Sequence, residues 1–316
     1  MKEHEFAVIE HYFKSIASSA EGVDLGPGDD CAILTFAADR ETCVSTDTLV
    51  ESVHFPAGCP PSVVAARTLG ANLSDLAAMG AEPHSFLLAV TLPEIDQNWL
   101  AQFSEALAVL IDRYKVPLVG GNLSKGSLSL TVTIIGQTPR GEAVRRDGAQ
   151  AGDDIYVTGT LGDAARGLEL VRSGDYTGYL ASRYCEPIPR IEAGVALRDF
   201  ASSMIDLSDG LMADLGHICE ASQLGAVVET KALPLSPQLL ETTKQESAVR
   251  MALYSGDDYE LCFTVHPDKT QQMLAALKEI GMTATRIGQM RRDPKVLAVD
   301  VDGKPIKHGG SGYQHF

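Results

Sequence analysis

Apolar residues recur at three- and four-residue intervals over 5–17, 61–79 and 98–114, and that spacing predicts three amphipathic or buried helices in the first half of the chain. The second of these opens on Pro61-Ser62 and stops before Gly80, the residue types expected at a helix start and just past a helix end. Short apolar or alternating runs predict strands at 31–35, 42–45, 85–91, 116–119 and 127–136. A loop rich in Gly, Pro and Asp lies at 22–30. The second half predicts strands at 154–158, 203–205, 225–229, 260–265, 283–288 and 296–301. Helices are predicted at 163–172, 189–200, from 208 to about 221, and at 268–280. Pro139, Gly141, Gly148 and Gly152 cluster with charged residues between the halves and mark a boundary. Helices and strands alternate on both sides of it. The fold class is therefore α/β (α+β), with two domains at 1–140 and 141–316.

Composition narrows the field. The 316 residues are 45% hydrophobic, ample for two packed cores. Lys and Arg number 26 against 42 Asp and Glu, so the net charge is 26 − 42 = −16. A chain this acidic is a poor binder of nucleic acid or anionic lipid, and to handle phosphate it needs cations. The start, Met1-Lys2-Glu3-His4-Glu5, carries neither the basic nor the apolar segment of a secretory signal, and no run reaches the ~18–20 apolar residues of a membrane span. Cys31, Cys43, Cys59, Cys185, Cys219 and Cys262 form no Cys-x-x-Cys pair. They read as reduced thiols, so the expectation is a cytoplasmic protein without a zinc site.

The acidic residues are placed in short pieces among apolar ones: Gly28-Asp29-Asp30, Ser45-Thr46-Asp47, Asn72-Leu73-Ser74-Asp75, Asp206-Leu207-Ser208-Asp209-Gly210 and Gly256-Asp257-Asp258. The first four have bland readings. The first is a turn, favoured about two to one by its residue types. The second is a cap or a ligand cluster with equal weight. Asn72 and Asp75 share one face of an apolar helix, where a carboxylate is costly unless paired or coordinated. Ser208 or Asp209 could cap a helix, which leaves Asp206 unexplained at a strand end. Hard oxygen donors of this kind suit Mg²⁺ with phosphates.

Three lookalikes fail. Gly121-Asn122-Leu123-Ser124-Lys125-Gly126-Ser127 has its Lys before the second Gly, unlike a P-loop. Gly159-Thr160-Leu161-Gly162 lacks the G-x-G-x-x-G spacing, and Arg198-Asp199-Phe200 has no accompanying protein-kinase motif.

The combination resembles the thiamine-monophosphate kinase family, in the superfamily that also holds aminoimidazole ribonucleotide synthetase and selenophosphate synthetase. The matching stretches are Gly28-Asp29-Asp30-Cys31-Ala32, Ser45-Thr46-Asp47-Thr48-Leu49-Val50, His54-Phe55 and Asn72-Leu73-Ser74-Asp75-Leu76-Ala77-Ala78-Met79-Gly80-Ala81. Gly120-Gly121, Tyr156-Val157-Thr158-Gly159, Ile205-Asp206-Leu207-Ser208-Asp209-Gly210-Leu211, Asp258-Tyr259-Glu260-Leu261 and Gly312-Tyr313-Gln314-His315-Phe316 continue it in order along nearly the whole chain.

The resemblance implies a two-domain fold like that of aminoimidazole ribonucleotide synthetase. Its N-terminal mixed sheet would bind Mg²⁺ and ATP and pair in a homodimer, and its C-terminal α/β domain would complete the active site. It implies direct transfer of the γ-phosphoryl group of ATP to thiamine monophosphate, giving thiamine diphosphate. The acceptor phosphate, with a second pKa of about 6, is mostly dianionic at pH 7, so no general base is expected. Repulsion between two polyanions is the difficulty, on the order of 4 kcal/mol per unit-charge pair ~4 Å apart at an effective dielectric of ~20. Several Mg²⁺ ions would offset it.

By resemblance, the Mg²⁺ ligands are Asp30, Ser45, Thr46, Asp47, Asp75, Asn122, Asp206 and Asp209. Tyr114, Gly121, Asn122, Arg146 and Ser208 lie against ATP, and His54, Asp257 and Tyr313 contact thiamine monophosphate. An aromatic face and a carboxylate suit the cationic thiazolium ring. Asn122 stands where the family commonly has Asp, keeping an oxygen but losing a charge. Asp257 stands where Glu is frequent. The remaining readings are another ATP-using enzyme of the superfamily and a non-catalytic acidic binder of Mg²⁺ and nucleotide.

Overall fold

A computed structural model describes residues 5–17 and 20–306, so Tyr313 and the tail around it lie outside the described residues. The chain divides into two compact units, one of residues up to Leu76 with Ala81–Gly141, the other of Ala77–Gly80 with Glu142 onward.

The first unit opens with α1 (Glu5–Val8), which runs into a π-helical stretch at Ile9–Phe13 and a 3₁₀ turn at Lys14–Ile16, in place of the single regular helix predicted. Val8, Tyr12 and Phe13 are buried along it. Strands β1 (Val23–Leu25) and β2 (Ile33–Leu34) form a small antiparallel pair, so part of the predicted loop is strand. A four-stranded sheet follows, made of β3 (Arg40–Val50), β4 (Glu82–Leu92), β5 (Leu118–Lys125) and β6 (Ser129–Pro139) in the order β3-β6-β4-β5. Only the β4–β5 pairing is parallel. Helix α2 (Pro61–Ala78) has Pro at its first position, and Gly80 beyond its end takes the left-handed φ of 65°. Helix α3 (Gln97–Tyr114) is capped by Asp96, whose carboxylate accepts from the Asn98 and Trp99 N–H groups.

Strands β3 and β5 are longer than predicted. Ser45-Thr46-Asp47 sits in the middle of β3, not at a strand end, and Gly121-Asn122 lies within β5. The extension of β3 has a cross-strand cause: Thr48 and Thr46 meet Thr131 and Thr133 on β6, hydroxyl to hydroxyl at 2.8 and 3.1 Å. Phe86, Leu88, Val90 and Leu92 on β4 are buried on one face, alternating with half-buried residues on the other.

The second unit is built on a six-stranded sheet of β7 (Asp154–Thr158), β8 (Ala201–Asp206), β9 (Gly225–Glu229), β10 (Leu261–Val265), β11 (Ala284–Arg291) and β12 (Val296–Val299). The order is β12-β9-β11-β7-β10-β8, antiparallel except for β12 with β9. Its helices are α4 (Asp163–Arg172), α5 (Gly178–Cys185), α6 (Ile191–Leu197), α7 (Leu211–Ser222), α8 (Pro237–Thr242), α9 (Gln245–Tyr254) and α10 (Thr270–Glu279). A core of Ile155, Val157, Ile205, Leu215, Ile218, Cys262 and Ile287 joins the sheet to α7. Helices α5, α8 and α9 escaped the sequence pattern, and α7 begins three residues after Ser208.

Candidate active site

In the first unit, Ser45 on β3 donates its hydroxyl to Asp75 Oδ2 on α2 at 2.6 Å. Two predicted ligands 30 residues apart are thus brought together. Asp47 shares Ser45's face of β3 by the two-residue period of a strand. The Thr46 hydroxyl goes the other way, donating to the Val132 carbonyl at 2.9 Å on β6. Thr46 therefore offers this side of the strand its main chain and not its hydroxyl. Asp30 is exposed in the turn after β1, its N–H donated to Asp29 Oδ1 at 2.9 Å.

Asn72, three residues before Asp75 on α2, is fully buried. Its amide donates to the Thr68 carbonyl at 2.9 Å, and its Oδ1 has no hydrogen-bond partner among the described residues. Asn122 on β5 lies opposite Ala89 of β4 and is exposed. Its neighbour Gly121 answers to packing as well as to any ligand, since a Cβ there would lie 1.9 Å from the Leu88 carbonyl oxygen. Tyr114 is the last residue of α3 and half-buried.

His54 sits in the turn after β3. Its Nδ1 accepts the Val50 N–H at 2.9 Å, and its carbonyl accepts from the buried Arg67 at 3.2 Å. A ring nitrogen that accepts a backbone N–H carries no proton, so the imidazole proton resides on Nε2.

In the second unit, Asp206 ends β8 and is buried. The turn Leu207–Gly210 leads into α7. There, a residue that the sequence reading missed holds it: Asp214 Oδ2 accepts the N–H groups of Asp209 and Gly210 at 3.1 and 3.0 Å. Burial, with the nearby charges of Asp206 and Asp209, pushes the Asp214 carboxyl up to about 8. Asp209, Asp214 and His217 each offer a ligand atom, all within 4.8 Å of one another. The spacing of Asp214 and His217 on one face of a helix was the signal available in the sequence.

Asp257 has a left-handed backbone, φ 71°, and its N–H donates to the Ser208 carbonyl at 3.0 Å. Tyr259, with φ 49°, donates to the Leu207 carbonyl at 2.9 Å. The approach is close enough that a Cβ on Gly256 would lie 2.0 Å from the Ser208 oxygen. The predicted nucleotide and metal turn and the predicted substrate turn are therefore bonded directly, main chain to main chain.

Behind them runs a buried ionic group, also missed. Glu260 accepts from Arg190 Nε at 2.7 Å, Arg183 Nη2 at 2.8 Å and the Thr158 hydroxyl at 2.7 Å. Burial pushes the Asp258 carboxyl up to about 7, against the pull of two backbone N–H groups and Arg183. Arg146 is exposed on a single 3₁₀ turn and has no ion-pair partner among the described residues, whereas its neighbour Arg145 is engaged by Asp147 at 2.6 Å. A cation held this way suits a phosphate.

Comparison with known proteins gives a consistent picture. Residues 28–138 match the model of the AIR synthase related protein N-terminal domain, and residues 150–300 match that of its C-terminal domain. The thiamine-monophosphate kinase of Escherichia coli K12 is 45% identical over 318 residues, covering 99% of this chain and 98% of that protein. The crystal structure of thiamine-monophosphate kinase from Stenotrophomonas maltophilia K279a is 39% identical with a TM-score of 0.87, covering 95% of this chain and 97% of that one. A structure described as AaThiL complexed with AMPPCP and TMP is 30% identical with a TM-score of 0.79, covering 99% and 97%.

Proposed function

Because the chain belongs to the thiamine-monophosphate kinase family, among the AIR synthase related proteins, we propose that it transfers the γ-phosphoryl group of ATP to thiamine monophosphate, forming thiamine diphosphate and ADP. The observation that carries this is near-full-length likeness to kinases of that name, one similar fold having been solved with an ATP analogue and TMP. The direct bonding of the 207–210 and 256–259 turns supports it, since phosphoryl transfer requires the two substrates' sites to be neighbours.

Mg²⁺ would be held by Asp30, Ser45, Thr46, Asp47, Asp75 and Asn122 in the first unit and by Asp206 and Asp209 in the second. The donor set fits: all these residues offer hard oxygens, and buried Asp214 lies close enough to Asp206 and Asp209 that burial first, and then their negative charges, push its carboxyl up. When bound, Mg²⁺ supplies charge neutralisation of the polyphosphate. The chain's own residues do the rest. Arg146, Tyr114, Gly121, Asn122 and Ser208 orient ATP, with Arg146 as its cationic partner. His54 offers a fixed Nε2–H donor to the acceptor phosphate, and no residue has a proton to remove. Asp257 and Tyr313 receive the thiazolium cation.

The domains at 1–140 and 141–316 divide these tasks, the first also pairing in a homodimer. The face of β3 carrying Val44, which is 61% exposed, with Thr46 and Thr48 supports that pairing. No described helix is long and apolar enough to cross a membrane, and a cytoplasmic location completes the reading.

The test is direct. Purified protein with ATP, MgCl₂ and thiamine monophosphate forms thiamine diphosphate and ADP in equal amounts. Absence of thiamine diphosphate under those conditions ends the proposal.

A further inference from the structure

We propose that Asp258 is a positioning residue for its neighbour Asp257, locking the 256–260 turn through its buried carboxylate; this rests on the reading of Asp257 as a contact to thiamine monophosphate. The turn alternates. Asp257 and Tyr259 both take left-handed backbone angles, and both give their N–H groups to the 207–208 segment. For residues with a Cβ that conformation is unfavourable, and it persists only where the surroundings over-determine it.

Asp258, between them, is the restraint on the other side. Its side chain is 3% exposed, with Oδ2 accepting the Gly162 N–H at 2.7 Å and Oδ1 accepting the Ala164 N–H at 3.2 Å. Those N–H groups open α4, where a helix has donors without internal partners and a positive end of its dipole. The Asp258 carbonyl accepts from Arg183 at 3.3 Å, and Glu260 two residues on is clamped by Arg183 and Arg190. The turn is thus held through its main chain on one side and through the Asp258 carboxylate on the other. Without that carboxylate the two left-handed residues relax toward extended angles, and the Asp257 side chain turns with them.

Steady-state kinetics of the full-length D257A, D258A and D258N proteins test this, with each substrate varied in turn. D257A and D258A both raise the KM for thiamine monophosphate about tenfold or more, the scale of one lost charge-assisted contact, with kcat and the KM for ATP within about threefold of wild type. D258N keeps one acceptor toward α4 and gives a smaller rise. If D257A leaves the thiamine monophosphate KM unchanged, the contact reading fails and the proposal with it. If D257A is impaired and D258A is not, the proposal alone fails. Equal rises in both KM values with a lowered Tm indicate a purely structural role and also overturn it. Should D258A not fold, D258N decides: a folded protein with an unchanged thiamine monophosphate KM rules the positioning role out.

Discussion

The Ser45 hydroxyl donates to Asp75 Oδ2 at 2.6 Å, tying the middle of β3 to the last turn of α2. Asp75→Asn removes a charge where cations are proposed to bind, and activity falls by at least about a hundredfold while circular dichroism stays native. Ser45→Ala leaves the carboxylate in place but releases it. A hydrogen bond to a charged group is worth about 1.5–3 kcal/mol, so turnover falls about tenfold to a hundredfold and the Mg²⁺ requirement rises. A Mg²⁺ titration of Ser45→Ala that overlays wild type would show that the bond does not set the carboxylate's place.

Arg146 is exposed and has no ion-pair partner among the described residues, so its removal leaves the fold intact. Arg146→Ala raises the KM for ATP by about tenfold, as expected for one charged contact, with Tm unchanged. A KM for ATP equal to wild type would remove Arg146 from the nucleotide site.

Stability depends on pH through Asp258. Its carboxyl lies near 7 in the folded protein and near 3.8 when unfolded. Between those values the folded chain holds a proton that the unfolded chain has released. The contribution to stability is therefore whole below about pH 4 and is lost as pH rises through 7. Asp258→Asn lacks this dependence, so the stability advantage of wild type over the variant shrinks by up to about 3 kcal/mol from pH 5 to pH 8. Denaturant melts at the two pH values measure it, and a constant gap would place Asp258 as an ordinary carboxylate.

Gly121→Ala separates packing from binding. The new methyl would lie 1.9 Å from the Leu88 oxygen, so β5 must move away from β4. The expected cost is about 1–3 kcal/mol, seen as a lower Tm with no ligand present. An unchanged Tm would leave nucleotide contact as the sole reason for glycine there.

What the sequence reveals follows physical lines. Strands β7 and β9 and helix α4 are legible to the residue because their apolar periodicity is strong and Gly or polar residues bound them. Helix α2 is legible from Pro61 and Gly80. The short helices α8 and α9 carry mixed polar faces and give no clear period. The reach of β3 and β5 is hidden because Asp47, Gly121 and Asn122 are poor strand formers, overridden by cross-strand pairing. Of the candidate site, the residues at turns and strand ends stand out against apolar neighbours. Asp214 and Glu260 do not, since each sits in a run that reads as core and is satisfied only by partners distant in sequence or folded back on a helix start.

The paired main-chain bonds from Asp257 to Ser208 and from Tyr259 to Leu207 make two turns into one mechanical body. A nucleotide that settles the first turn has already settled the second, so the order cost of binding is met jointly. The two substrates then act as heterotropic effectors of each other. Calorimetric titration of thiamine monophosphate, with and without a non-hydrolysable ATP analogue, should give a ratio of dissociation constants matched by the reverse experiment. A ratio of one would mean that the shared turn transmits nothing.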